Sequence, residues 1–393
     1  MPRDGMPPSS LSPSRILPVS ISPRLSLFLS AFLLAVMLLS GGCFRSPQPQ
    51  FELNLEGRDP KSVGPSQAQS IRETLETLFG TPDEPRVPPG VKLRLELLRT
   101  AAGPIGGDAQ GKQHGLFRRH CAACHGISGG GDGPAAAVLE PYPRDFRNGI
   151  FKWTSTVGGA KPTHDDLERT LLRGIPGTAM PSHAPLAAEE IEALIEYVKY
   201  LSIRGQTELY LLQTVVDEDE PGPLAVDAVL REGVRPVAEM WEQAPTQMVR
   251  PAPPPPLDTP QELAAAIEWG RQLYAGKDAQ CVKCHGPQGR GNGEEAELYD
   301  DWNKPKKGLT PAQTAALTSR FSLPIQKLRP RDFAKGIFHG GSRPLDIYHR
   351  IYVGIKGTPM PPAGPAPGSK GVLTPEQIWD VVTFIRSLAA PTP

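Results

Sequence analysis

One unit occurs twice in this chain, and that repeat limits what the chain can fold into more than any other feature. The stretch "CAACHGISGGGDG", Cys121 to Gly133, returns as "CVKCHGPQGRGNG", Cys281 to Gly293. Further on, "RDFRNGIF" from Arg144 matches "RDFAKGIF" from Arg331, and "GIPGTAMP" from Gly174 matches "GIKGTPMP" from Gly354. Lastly "LAAEEIEALIEYVKYL", ending at Leu201, lines up with "LTPEQIWDVVTFIRSL", ending at Leu388. Four blocks in one order mean two copies of the same small assembly.

The blocks read as helical. Ile191, Leu194, Ile195, Val198 and Leu201 recur at spacings of three and four, which gives one apolar stripe. In the second copy Thr374, Pro375 and Gln377 form a capping box with proline at the first helical position. "DDLERTLLRGI" and "LDIYHRIYVGI" read as short helices ending near Gly174 and Gly354, and a further helix precedes each cysteine pair. No alternating strands stand out. The expected fold is all-α, with two tandem helical domains over residues 109–205 and 260–390. A signal segment (1–43), an N-terminal extension (44–108) and a linker (206–259) complete the chain. The linker ends in the proline-rich "RPAPPPPLDTP", a stiff connector, and the extension holds one amphipathic helix near residues 67–80. The second copy also carries 37 residues between Gly293 and Arg331 where the first has 10 between Gly133 and Arg144.

C-x-x-C-H admits three chemistries. Structural zinc needs four ligands, and each motif offers three with no second cysteine pair beside it. A redox dithiol expects a strand and helix context and has no use for the following histidine. Covalent c-type haem attachment uses all three side chains: Cys121 with Cys124 and Cys281 with Cys284 as thioether anchors, His125 and His285 as iron ligands. Met180 and Met360 then occupy matched proline-stiffened loops, where core filling explains a methionine poorly. They are the candidate sixth ligands, and a thioether opposite imidazole favours ferrous iron and a raised potential. His183 and His349 compete for that place, with His164 and His339 further off, but none has a matched histidine in the other unit. Arg144 and Arg331 of the RDF blocks offer guanidinium groups to a haem propionate, or else mark a turn around buried Phe146 and Phe333. Lys152, Trp153 and the cluster Lys304, Lys306 and Lys307 are candidates for partner docking. The glycines after each histidine permit turns of positive φ and close backbone approach to the porphyrin.

On "CAACHG", "CVKCHG", the two methionine loops and the C-terminal helices with Tyr197 and Phe384, each unit resembles a class I cytochrome c domain. The resemblance covers well over half of the chain that follows the signal segment. It implies helices wrapped around two covalent haem groups, each with one edge exposed for electron exchange, and redox proteins as partners. The long insertion and the flanking segments depart from that pattern.

Arginines at 3, 15 and 24 precede the apolar run "LSLFLSAFLLAVMLL", Leu25 to Leu39, and then "SGGC" ending at Cys43. That is an export signal. The run is about 15 residues, short of the ~20 that span a bilayer. The residues before Cys43 resemble a lipoprotein cleavage box, so a lipidated Cys43 or an uncleaved segment would attach a periplasmic protein to the membrane. The 42 basic and 42 acidic residues balance, which gives no reason to expect nucleic acid as a partner. Two functions compete: an electron carrier or respiratory electron-transfer subunit with two six-coordinate haems, and a diheme enzyme of peroxidase or thiosulfate dehydrogenase type with one open iron.

Overall fold

The computed structural model describes residues 48–55, 60–217, 225–295, 297–304, 308, 310, 312–313 and 323–389. The export signal and Cys43 lie outside the described residues, as do Lys306 and Lys307. Residues 49–393 form one compact unit. It is mostly helical. The only sheet among the described residues is a ribbon of β1 (Gly106–Gly107) with antiparallel β2 (Gln113–His114).

α1 (Pro65–Phe79) starts on a proline, and the Gln67 side chain accepts from the Gly64 backbone N–H at 2.9 Å. α2 (Leu95–Ala101) follows, then α3 (Leu116–His120) and α4 (Ala122–His125), which carries the first motif. α5 (His164–Arg173) is capped by Thr163, which accepts from the Asp166 N–H. α6 (Ala188–Leu212) buries the whole predicted stripe from Ile191 to Leu201. Next come α7 (Arg235–Gln243), α8 (Pro260–Ala275), α9 (Val282–His285) with the second motif, α10 (Pro344–Val353) and α11 (Pro375–Leu388). Thr374 caps α11 with Gln377 as read from the sequence. In each unit the helix before the motif crosses the last helix through an aromatic pair: Phe117 with Tyr197 at 4.9 Å, and Tyr274 with Phe384 at 5.2 Å.

The flanking segments are more integrated than their composition suggests. α6 runs seven residues past Gly205, and its far end is buried because the extension packs on it. Ile71, Leu75 and Phe79 of α1 and Leu98 of α2 join Tyr200, Leu211 and Leu212 in one core. The Tyr200 hydroxyl donates to the Phe79 carbonyl at 2.6 Å. Arg204 lies 4.1 Å above the Phe51 ring and pairs with Glu208 at 2.7 Å, both ions buried. Val229 and Val234 from the expected linker enter the same core. Among the described linker residues the stretch after Met248 is an extended strap, and it is pinned to both units. The Val249 N–H donates to the Ser155 carbonyl at 2.8 Å, its carbonyl lies 3.1 Å from His349 Nε2, and Trp379 Nε1 donates to the Ala252 carbonyl.

Candidate haem-binding site

Each motif folds as one helical turn that ends on its histidine. The chain then reverses through the glycine loop. Gly131 and Gly291 have φ of +77° and +71°, and a Cβ there would stand 2.5 Å from the Pro143 carbonyl oxygen and 2.3 Å from that of Pro330. At these two positions the close approach that glycine permits is therefore to the chain's own RDF segment. That segment is tied down by Phe146 N–H to the Gly129 carbonyl at 2.8 Å and Phe333 N–H to the Gly289 carbonyl at 2.7 Å.

The RDF block in turn fixes the motif histidine. His125 Nδ1 lies 2.9 Å from the Arg144 carbonyl oxygen, and His285 Nδ1 lies 3.2 Å from that of Arg331. A carbonyl only accepts, so Nδ1 carries the proton and Nε2 keeps its lone pair for a metal. Phe146 stacks on the His125 ring at 4.5 Å and Phe333 on the His285 ring at 4.6 Å. Burial pushes the His125 imidazole down to about 4 and lowers that of His285, so both stay neutral, the form that ligates. Burial pushes the Cys121 thiol up to about 12 and that of Cys281 to about 11. Such thiols are poor thiolate nucleophiles, which counts against a redox dithiol. All four motif cysteines are free of disulfides. Among the described residues no cysteine joins a cluster of three ligand atoms close enough together to hold a metal ion.

The two methionine loops are built alike. The Met180 N–H donates to Thr178 Oγ1 at 3.2 Å while the Met180 carbonyl accepts from the Ile175 N–H at 3.1 Å; Met360, Thr358 and Ile355 repeat both distances. Cys121, Cys124, His125 and Met180 line a cavity of about 950 Å³, and so do Cys281, Cys284, His285 and Met360. That is near the upper end of the roughly 300–1,000 Å³ typical of cofactor sites. Leu171, Leu194, Val198, Ile351, Val381 and Ile385 supply apolar walls. A flat apolar macrocycle needs such walls, the paired cysteines suit attachment at its edge, and His with Met is a donor pair that suits iron within it. The residues present thus fit haem.

Matches to the cytochrome c family model cover residues 109–202 and 267–389, 94 and 123 residues or 217 of 393. The chain belongs to the cytochrome c family. Cytochrome c domains bind haem c covalently, and they are typically extracytoplasmic. Among solved structures the chain is similar to the reducing HAO-like protein complex of Kuenenia stuttgartiensis, at 26% identity and TM-score 0.48 over 72% of this chain and 98% of that one. No curated protein matches it. Among the described residues of this cytochrome no helix is long and apolar enough to cross a membrane.

Of the competing histidines, His349 is engaged by the strap and His164 Nε2 by Glu192 at 2.7 Å. His183 lines the cavity and its Nδ1 has no hydrogen-bond partner; His339 also lines it, edge-on to Trp153 at 6.1 Å. Lys152 and Trp153, offered by the sequence as docking residues, turn inward and line the cavity too. The orienting carbonyls of Arg144 and Arg331 escaped sequence reasoning because a backbone carbonyl has no residue signature. The recurrence of RDF is the available signal.

Proposed function

We propose that this cytochrome is an exported carrier of single electrons between redox proteins, with two haem c groups. Cys121 and Cys124 anchor one haem and Cys281 and Cys284 the other, His125 and His285 ligate iron through Nε2, and Met180 and Met360 are the sixth ligands. The observation that carries this reading is that both units repeat the whole set, down to the carbonyl behind each histidine and the hydrogen bonds of each methionine loop. Haem, once bound, supplies a one-electron iron couple whose potential a thioether ligand raises. The chain's own contributions are to hold the imidazoles neutral and oriented, to present each thioether on a stiff loop and to keep water off the site with apolar walls. Attachment to the periplasmic face of a membrane through Cys43 or an uncleaved N-terminal segment belongs to the same reading.

A second reading, a diheme enzyme of peroxidase or thiosulfate dehydrogenase type, draws on one observation. His183 lines the cavity three residues beyond Met180 with a free ring nitrogen. Redox titration of the haem-loaded protein with and without carbon monoxide separates the two. The carrier leaves both centres closed to carbon monoxide. Met180→Ala and Met360→Ala each lower one midpoint and open that centre while covalent haem stays at two per chain. Unchanged spectra in both variants would overturn the methionine assignment, and carbon monoxide binding by the unaltered reduced protein would favour the enzyme.

A further inference from the structure

The two units pack through corresponding faces, each lending its methionine loop to the other's RDF segment. A Cβ on Gly177, in the first methionine loop, would stand 3.0 Å from Ile337 Cγ2 of the second RDF segment. A Cβ on Gly357, the matched position of the second loop, would stand 3.1 Å from Ile150 Cγ2 of the first. Gly177 corresponds to Gly357 and Ile150 to Ile337 in the repeat. Residue i of one copy therefore meets residue j of the other and j meets i, the signature of a two-fold interface, here within one chain. The two motif sites accordingly open into the same cavity.

The insertion of the second unit locks this arrangement. Asp300, 5% exposed, takes Lys152 Nζ of the first unit at 2.8 Å and lies 3.9 Å from the Arg144 guanidinium. Beside it the Asp301 N–H donates to the Gly357 carbonyl at 3.0 Å, and Trp302 meets Tyr142 of the first unit at 6.0 Å. Arg350 of the second unit donates to the carbonyls of Lys152, at 3.3 Å, and Thr154. Lys356 Nζ donates to Thr156 Oγ1 at 3.0 Å and the Ala160 carbonyl at 2.6 Å.

We infer that the two centres form one coupled unit across this pseudo-two-fold face, with Asp300 the positioning residue that fixes their separation. The inference rests on the two-haem reading above. An electron accepted at one centre from a reduced one-electron carrier protein passes inside the chain to the other centre and leaves to an oxidised carrier protein. With haem bound, the transfer would be a one-electron exchange between the two centres, with no bond made or broken and no proton required.

Circular dichroism in the Soret region tests this on the full chain after its haem content has been counted as the pyridine haemochrome. Two chromophores held in one cavity would give a bisignate couplet. Asp300→Asn, and separately Lys152→Gln, reduce its amplitude at least twofold at unchanged haem content. A single-signed band from a chain with two haems overturns the coupling and leaves the two-haem reading standing. Fewer than two haems per chain overturns that reading and the inference with it. A couplet that neither variant alters removes Asp300 from the positioning role.

Discussion

The RDF phenylalanines show how much of each motif histidine's setting is built from residues outside the motif. Phe146 and Phe333 each pack one face on the motif histidine and the other on a second phenylalanine, Phe151 at 6.0 Å and Phe338 at 5.9 Å. Truncating a buried aromatic leaves a void that the surroundings fill only in part. Phe146→Ala and Phe333→Ala should therefore each cost about 3–5 kcal/mol, read from urea unfolding. The histidine loses its stacking partner but keeps the carbonyl behind Nδ1. Covalent haem should remain in both variants, with the loss appearing in stability. The sequence made the phenylalanines legible as buried turn residues. It could not show what they lie against, because the histidine and the RDF block are 19 residues apart in one copy and 46 in the other.

At the scale of elements, caps and stripes were legible from local pattern, whereas partners for a stripe were not. Thr374 sits where its capping signal puts it, and Thr374→Ala should cost about 1 kcal/mol in thermal or urea unfolding. The turns of α6 beyond Gly205 carry Glu208 and Leu212, residues that read equally well as solvent-facing linker. They are buried because α1, α2 and the 225–243 segment close over them. Glu208 also accepts the Asn54 N–H, so two segments far apart in the chain meet at one carboxylate. Glu208→Ala strands Arg204 in the core without its counter-ion and should destabilise the protein by about 3–5 kcal/mol, far more than exposed pairs such as Arg271 with Glu268. A denaturation series on both ion pairs checks the contrast.

For the whole molecule, the interface between the units carries a dependence on pH. Burial pushes Lys356 down to about 8 from its ordinary 10.5, and Lys161 in the first unit likewise. Between about pH 8 and 10 the unfolded chain keeps these protons while the folded one sheds them, so the unfolded state binds more protons and stability rises with pH. Below about pH 8 both states are protonated and the burial penalty is constant. Lys356→Met should raise stability below pH 8 and flatten the rise between pH 8 and 9.5, read as urea midpoints against pH. Above that window the buried hydroxyls of Tyr197 and Tyr200, whose ionisation burial opposes, act in the other direction.

Sequence by itself determined the parts whose signal is local or repeated: two helical units, the C-x-x-C-H motifs and the matched methionine loops. Each is specified by residues within one turn or one loop of each other, and duplication separates such signals from accident. Tertiary structure alone decided which carbonyl holds each histidine, how the extension completes the first unit and that the methionine loops cross to the opposite RDF segments. Those outcomes depend on burial shared between segments far apart in the chain. Burial is set by which apolar faces and ion pairs meet, and no single segment encodes its own partner.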